Sequence, residues 1–302
     1  MNQSRITRAM TRDGSARMIF AQTTSIVQRA HEIHQTSKTV TAALGRSLTA
    51  TAMMGCLLKD PGNTLSLQIK GDGPMGRLVC ISDYLGNVRG WVENPDAELP
   101  PNALGKLDVG GVVGAGTLTV VRDLGMEEPY IGVSDLVSGE IAEDITEYFA
   151  VSEQTPTVCA LGVRCNVDFS CKAAGGFLLQ LLPGADEGII SVLEQNLAGL
   201  DSVSHLIEQG ESAQQIIDRV LNGIEYDLFD EIDIDYVCPC SRESYIRGLM
   251  SLGADELQSL LDEGEPVEVR CWYCGARHEF SLEELGDMIR ALREKSAGEE
   301  QA

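Results

Sequence analysis

Four cysteines near the end of the chain constrain it more than any other feature. They stand as Cys238-Pro239-Cys240 and, after thirty intervening residues, Cys271-Trp272-Tyr273-Cys274. Two tight thiol pairs joined by a segment that can fold back on itself are the usual way a short stretch holds Zn²⁺, which takes four soft ligands in a tetrahedron. Gly275 after the second pair suits a knuckle, since glycine lets the chain turn while backbone N–H groups point at sulfur. The first pair is stiffer. A single residue, Pro239, separates its thiols, and proline fixes φ and lacks an N–H. A disulfide across so short a span closes a strained ring, at the labile end of the redox scale. The same four thiols therefore read as a structural metal site, as a redox switch, or as one that alternates between the two.

The residues around the cluster argue for metal. Beyond Val237 about 60 residues carry few large apolar side chains, and a core that small needs a staple. Ser241 caps a helix, Ala254–Leu261 forms a second, Val267 and Val269 lead as a strand into Cys271, and Ser281 with Glu284 makes a capping box for a last helix to about Leu292. A strand leading into the pair is knuckle context. A thiol–disulfide oxidoreductase working through Cys271 and Cys274 would place the first thiol at a helix N-terminus within a βαβ unit. A third reading is a zinc-ribbon interaction module. The net charge of −23, with 17 acidic against 7 basic residues from Glu231 onward, weighs against its nucleic-acid form, because such a binder needs a basic stripe.

Upstream, the pattern predicts a mixed domain. A strand is expected over 16–24, a short helix carrying His31 and His34 on its surface, and a long central helix from Ser37 to about Leu58, rich in Ala, Met, Leu and Thr. Leu65, Leu67 and Ile69 alternate as a strand, and 78–81 and 88–92 form a hairpin. Gly71-Asp72-Gly73-Pro74 is turn chemistry, with no Gly-Lys-Ser/Thr behind it, so a phosphate loop is excluded. Gly110, Gly111, Gly114 and Gly116 lack the dinucleotide-binding order and read as a bend before the strand Thr117–Val121. A helix from Ser138 to about Ser152 and strands near 157–169 and 176–182 complete a first domain of residues 1–183. Its order is not βαβ alternation, so the fold class is α+β: an N-terminal core of helices and antiparallel sheet.

Residues 184–236 change character. They hold 13 acidic residues and one basic residue, Arg219, yet keep helical stripes: Ile189, Ile190, Leu193 and Leu197, then Ile216, Ile217, Val220 and Ile224. Short helices crowded with like charge are marginal by themselves. This acidic amphipathic helical linker is expected to be conditionally folded, ordered by docking its stripes elsewhere. Residues 237–302 form the small four-cysteine zinc domain. Five further cysteines lie upstream. Cys56 and Cys80 read as small buried apolar residues; Cys159, Cys165 and Cys171 recur every six residues through a strand region, where a second thiol function stays open. No apolar run is long enough to span a bilayer, and Met1–Arg5 is followed by no secretory apolar segment, so the cytoplasm is the expected compartment.

These residues resemble the 33 kDa heat-shock protein family, redox-regulated bacterial chaperones. The C-x-C pair, the thirty-residue gap and the C-x-x-C pair carry the resemblance, within Cys238-Pro-Cys-Ser-Arg-Glu243 and Cys271-Trp-Tyr-Cys-Gly275. Gly71-Asp-Gly-Pro-Met75, Ser152-Glu-Gln-Thr-Pro156, Ala173-Ala-Gly-Gly176 and Leu178-Leu-Gln180 support it in order. The resemblance implies an ATP-independent holdase, not an enzyme, inactive while reduced with one zinc ion per chain on Cys238, Cys240, Cys271 and Cys274. On oxidation Cys238–Cys240 and Cys271–Cys274 become disulfides, zinc leaves, the switch domain and linker unfold, and apolar surface is presented to unfolded client proteins. The activated form is a homodimer; nucleic acid and membrane are not expected partners. The acidic linker and the five extra cysteines depart from the family pattern.

Overall fold

The computed structural model describes residues 3–185, 187–229 and 231–299, with side chains to 294. Met1 and Asn2, within the stretch read for a leader, and residues 300–302, the end of the expected zinc domain, lie outside it. The chain forms two compact units, Met1–Val237 and Cys238–Ala302. Helices and antiparallel sheet are mixed as expected, and no described helix is long and apolar enough to cross a membrane.

The first unit is built on two antiparallel sheets. Strands β1 (Arg5–Thr11) and β2 (Ala16–Gln22) open the chain, followed by helices α1 (Thr24–His34) and α2 (Lys38–Gly55). Strands β3 (Thr64–Gly71), β4 (Arg77–Asp83) and β5 (Val88–Val92) form a meander. The short helix α3 (Val109–Val113) precedes β6 (Gly116–Asp123) and β7 (Tyr130–Asp135). Helix α4 (Ala142–Val151) leads into the hairpin β8 (Thr157–Cys165) and β9 (Cys171–Leu181). Three helices follow, α5 (Glu187–Ala198), α6 (Val203–Glu208) and α7 (Ala213–Val220), and then the short strands β10 (Tyr226–Leu228) and β11 (Ile232–Asp233). One sheet runs β10-β1-β2-β9-β8, with β11 also on β1; the other runs β5-β4-β3-β6-β7.

Helix α2 lies between the sheets. Every residue but Lys38 and Arg46 is buried, so its hydroxyls need partners inside. Three find them on the helix itself, Ser47, Thr49 and Thr51 each donating to the carbonyl four residues back at 2.6–2.9 Å, and Thr39 donates to Glu98 at 2.6 Å. Ser37 caps the helix by accepting from the Val40 N–H at 3.1 Å. Gly45 lets the helix meet Val27 and Val163; a Cβ there would come within 2.8 and 2.9 Å of their methyl groups.

Three local readings change. The helix expected from Ser138 starts four residues later. The buried Asp144 carboxylate accepts from the N–H groups of Val137, Ser138, Gly139 and Ile141, turning 137–141 into a loop wrapped on that side chain. The histidines of α1 are half-buried: His31 bonds the Thr36 hydroxyl at 3.3 Å and His34 the Gly90 carbonyl at 2.9 Å. A helical turn, α3, stands where a bend alone was read, with Asp108 accepting from Gly111 N–H; the bend itself falls at Gly114, at φ +75°.

Helices α5–α7 lie on the face of the first sheet turned away from α2. Ile189, Leu193, Val203, Leu206, Ile207, Ile216, Ile217 and Val220 are buried against Met18, Phe20, Phe177 and Leu179. The stripes read at 189–197 and 216–224 are the docked faces. The acidic residues meet cations of the sheet: Glu208 pairs with Arg164 at 2.6 Å and with Lys172, Glu225 and Asp227 with Arg12, and Glu231 and Asp233 with Arg5. Close approach of α6 depends on Gly162, where a Cβ would meet Ser204 Oγ, Cβ and N at 2.6, 2.8 and 2.9 Å.

The second unit comprises α8 (Arg242–Met250), α9 (Ala254–Asp262), the hairpin β12 (Val267–Arg270) and β13 (Arg277–Phe280), and α10 (Leu282–Glu299), which runs past the expected Leu292. Its buried apolar residues are Leu249, Leu257, Phe280, Leu285, Met288 and Ile289.

Candidate metal and redox centre

Local chemistry brings each cysteine pair to the site. Cys240 directly precedes Ser241, the N-cap of α8. Ser241 and Ser244 cap reciprocally: each side chain accepts from the other's backbone N–H, at 3.2 and 3.1 Å. The helix start thus fixes the chain just beyond the first pair. The second pair occupies the turn of the β12–β13 hairpin. Cys271 N–H donates to Ala276 O at 2.8 Å and Gly275 N–H to Cys271 O at 2.9 Å. Gly275 sits at φ +72°, a conformation costly for a side chain bearing Cβ. Strands flank the Cys271–Cys274 turn on both sides, which is knuckle geometry and not the helix N-terminus of a dithiol oxidoreductase.

The fold-back joins the pairs. The sulfurs of Cys238, Cys240, Cys271 and Cys274 all lie within 4.8 Å of one another. The Cys238–Cys271 separation is 3.7 Å and the Cys240–Cys274 separation 3.3 Å. All four are free thiols. Sulfurs at about 2.3 Å from a central ion stand roughly 3.8 Å apart in a tetrahedron, so the cluster has the size and donor set of a thiolate metal site. Cys271 is buried and the other three are half-buried.

The electrostatics explain why such a cluster calls for a cation. Burial raises Cys238 and Cys240 above the ordinary thiol value, and for Cys240 the neighbouring sulfurs of Cys274, Cys238 and Cys271 add to it. Burial also works against the Cys271 thiolate. The Tyr245 hydroxyl, the N–H groups of Cys274 and Tyr273 and the Cys274 thiol donate to it and prevail, bringing it to about 6. Thiolates this close repel one another, and holding all four ionised takes a cation in their midst.

Tyr245 is the participant the sequence reading missed. It projects from the first turns of α8, and burial followed by its bond to Cys271 raises its own hydroxyl. Its ring lies 5.0 Å from that of His278 on β13. The available signal was its place, one turn into a helix that opens beside a ligand. Arg242 braces the same unit, stacking over the Phe280 ring at 4.4 Å and pairing with Glu284 at 2.5 Å. Glu284 completes the predicted capping box with Ser281. Of the cysteines outside the cluster, Cys80, Cys159 and Cys171 are buried and Cys56 and Cys165 half-buried.

Comparison with known proteins places this arrangement. The family model described as "Hsp33 protein" matches residues 4–281. The 33 kDa chaperonin of Acetivibrio thermocellus is 43% identical over 292 residues, covering 97% of this chain and 99% of that one. The protein of the same description from Clostridioides difficile is 42% identical over 288 residues, covering 95% and 99%. The crystal structure of the 33 kDa chaperonin (heat shock protein 33 homolog) from Thermotoga maritima superposes with a TM-score of 0.89 at 35% identity, covering 96% of this chain and 99% of that one.

Proposed function

The chain belongs to the Hsp33 family of chaperones, and from that premise we propose that it is an ATP-independent holdase held inactive by its reduced four-cysteine cluster and released by oxidation. The observation that carries the reading is the placement of four free thiols within 4.8 Å of one another in a unit with six buried apolar core residues among those described. The acidic stretch 184–236 acts as the conditionally folded linker and Cys238–Ala302 as the switch.

Zn²⁺ is the ion whose preference matches four thiolates, and bound there it would supply on the order of 10–16 kcal/mol of folding free energy. Cys238, Cys240, Cys271 and Cys274 are its ligands in this reading, one ion per chain. Tyr245 and the turn N–H groups orient the sulfurs. Under peroxide one thiolate of a pair attacks an oxygen, the O–O bond breaks, and hydroxide leaves as water after taking a proton. The second thiol of the pair attacks the resulting sulfenic acid, the S–S bond forms and a second water departs. Cys238–Cys240 and Cys271–Cys274 are the pairs. Each disulfide removes two ligands, so the fold that depends on them is lost.

Loss of that unit leaves the acidic stretch before it, β11 and β10 and then helices α5–α7, as the part of the chain next to lose order. Their release uncovers Met18, Phe20, Phe177 and Leu179 together with the linker's own apolar faces, a surface for unfolded client proteins. The activated chain dimerises, and the cytoplasm, where thiols are kept reduced, is the compartment in which such a switch has something to sense.

The test follows metal release with a chromophoric chelator during peroxide treatment and scores aggregation of a heat-denatured protein in the same samples. Metal loss and aggregation suppression are expected to rise together and to reverse with dithiothreitol plus zinc. Full suppression by the reduced, metal-loaded protein, or metal loss without suppression, would overturn the reading.

A further inference from the structure

Three cysteines outside the cluster, Cys159, Cys165 and Cys171, lie on the β8–β9 hairpin, and two of them oppose each other. Cys165 ends β8, Cys171 begins β9, and they are register partners across the ladder. A bulge sets this pairing: Arg164 is opposite Ala173 and Cys165 is opposite Cys171, so Lys172 is the extra residue. The Cys171 N–H donates to Gln28 of α1 at 2.8 Å instead of to Cys165. The cysteines thus face each other at the end of the ladder, where opposed Cα atoms stand about 4.5–5.5 Å apart with side chains on one face. A disulfide requires a Cα separation of roughly 4.4–6.8 Å.

Both side chains turn toward the core around α2. Cys171 is buried in it and Cys165 packs half-buried at its margin, its thiol 3.9 Å from the Lys38 carbonyl. Their chain neighbours Arg164 and Lys172 hold Glu208 of α6. The loop between them is short and closed by its own bonds, Asn166 N–H to Ser170 O at 2.8 Å and Phe169 N–H to Asn166 O at 3.2 Å. Closing the pair therefore asks for little backbone movement.

We propose that Cys165 and Cys171 form a second dithiol redox site, which closes to a disulfide when the protein meets hydrogen peroxide. Cys165, the more accessible, reacts first. Its sulfur attacks one peroxide oxygen; the S–O bond forms, the O–O bond breaks, and the departing hydroxide takes up the thiol proton as water. The Cys171 sulfur then attacks the sulfenic sulfur. The S–S bond forms, the S–O bond breaks, and hydroxide leaves with the Cys171 proton as a second water. Two electrons pass from the two sulfurs to one peroxide.

Burial holds Cys165 up at about 11 and Cys171 at about 12, so thiolate is scarce at neutral pH and closure takes prolonged exposure. The disulfide would staple the edge of the sheet on which α6 docks. It belongs to the first unit, the four-cysteine cluster to the second, and it is read on a separate peptide, so it succeeds or fails independently of the proposed function.

Trypsin cuts after Arg164 and Lys172 and releases both cysteines in one peptide, 165–172. The full-length reduced protein is exposed to peroxide, alkylated, digested and weighed. The expected peptide is lighter by two hydrogens and carries no alkyl group; dithiothreitol before alkylation restores the mass and adds two alkyl groups. In a Cys165→Ser chain, Cys171 should stay alkylatable after the same exposure. Full alkylation of both thiols in wild type once the cluster has oxidised would overturn the proposal, as would bonding of either to Cys159 or a cluster cysteine. Loss of Cys171 alkylation in Cys165→Ser would do the same.

Discussion

Gly162→Ala is the smallest change that should separate the linker from the sheet. The new Cβ would meet Ser204 Oγ at 2.6 Å, Cβ at 2.8 Å and N at 2.9 Å. Carbon contacts want about 3.5–4.0 Å, so α6 must retreat by roughly 1 Å. All three close atoms belong to α6, so the strain falls on docking and spares the sheet. Overpacking of this kind costs about 1–3 kcal/mol, which moves the docking equilibrium about 5- to 150-fold. The assay is amide hydrogen exchange resolved by peptide. Amides of Val203–Glu208 should exchange faster by about that factor, while β1 and β2 keep their protection and the metal content is unchanged. Ser204→Gly in the same chain removes two of the three clashing atoms and should restore part of the protection. Wild-type protection of α6 in Gly162→Ala would refute the steric reasoning. So would loosening spread evenly over the whole first unit. If α6 opens as expected, the reduced variant should also suppress aggregation in part without oxidant; opening without suppression would mean that undocking is not the activating step.

Three further outcomes are expected. Cys271→Ser should lower zinc content and destabilise Cys238–Ala302, because one buried ligand of four is lost; wild-type stoichiometry by metal analysis would contradict a four-ligand site. A strong chelator under reducing conditions should unfold that unit cooperatively while strands β1–β9 stay protected, as read by hydrogen exchange, since six buried apolar residues among those described are a small core. The hydrogen bond from Lys172, with Arg164 and His205 adding, holds Glu208 below its ordinary value of 4.5. A depressed carboxyl contributes docking stability above that value and loses it as pH falls through the folded pKa. Protection of α6 should therefore drop below about pH 4.5 in wild type, and Glu208→Gln should flatten that dependence at a lower plateau; an unaltered pH profile in the variant would argue against the clamp.

The cluster was legible in the sequence because its determinants are local. Each cysteine pair is brought in by one turn, Ser241 and Ser281 signal the helices beside it, and Gly275 marks the bend. Helix α2 was legible for the same reason, through the Ser37 cap and an apolar run too long for a strand. Local signals failed where a side chain or strand is satisfied from far away. Strand β1, short and interrupted by Arg5 and Arg8, is a strand because β2 and β10 pair with it and because Arg5 meets Glu231 and Asp233, more than 220 residues on. The start of α4 is set by a buried Asp144 gathering four loop N–H groups, and nothing in Ser138-Gly139-Glu140 announces it.

The linker divides the two kinds of information most clearly. Its stripes and its acidity are written in residues 184–236, and they carried the expectation of amphipathic helices in need of a partner, which α5–α7 meet, but they did not announce the strands β10 and β11. That the partner is the outer face of the β1-β2-β9 sheet, that Arg5, Arg12, Arg164 and Lys172 answer its charge, and that Gly162 admits α6 closely were decided by tertiary structure. So was the opposition of Cys165 and Cys171, which hangs on one bulged residue. Helix periodicity and metal-ligand spacing act over a few residues and survive in the sequence, whereas strand order, charge compensation and close approach depend on which distant segments meet.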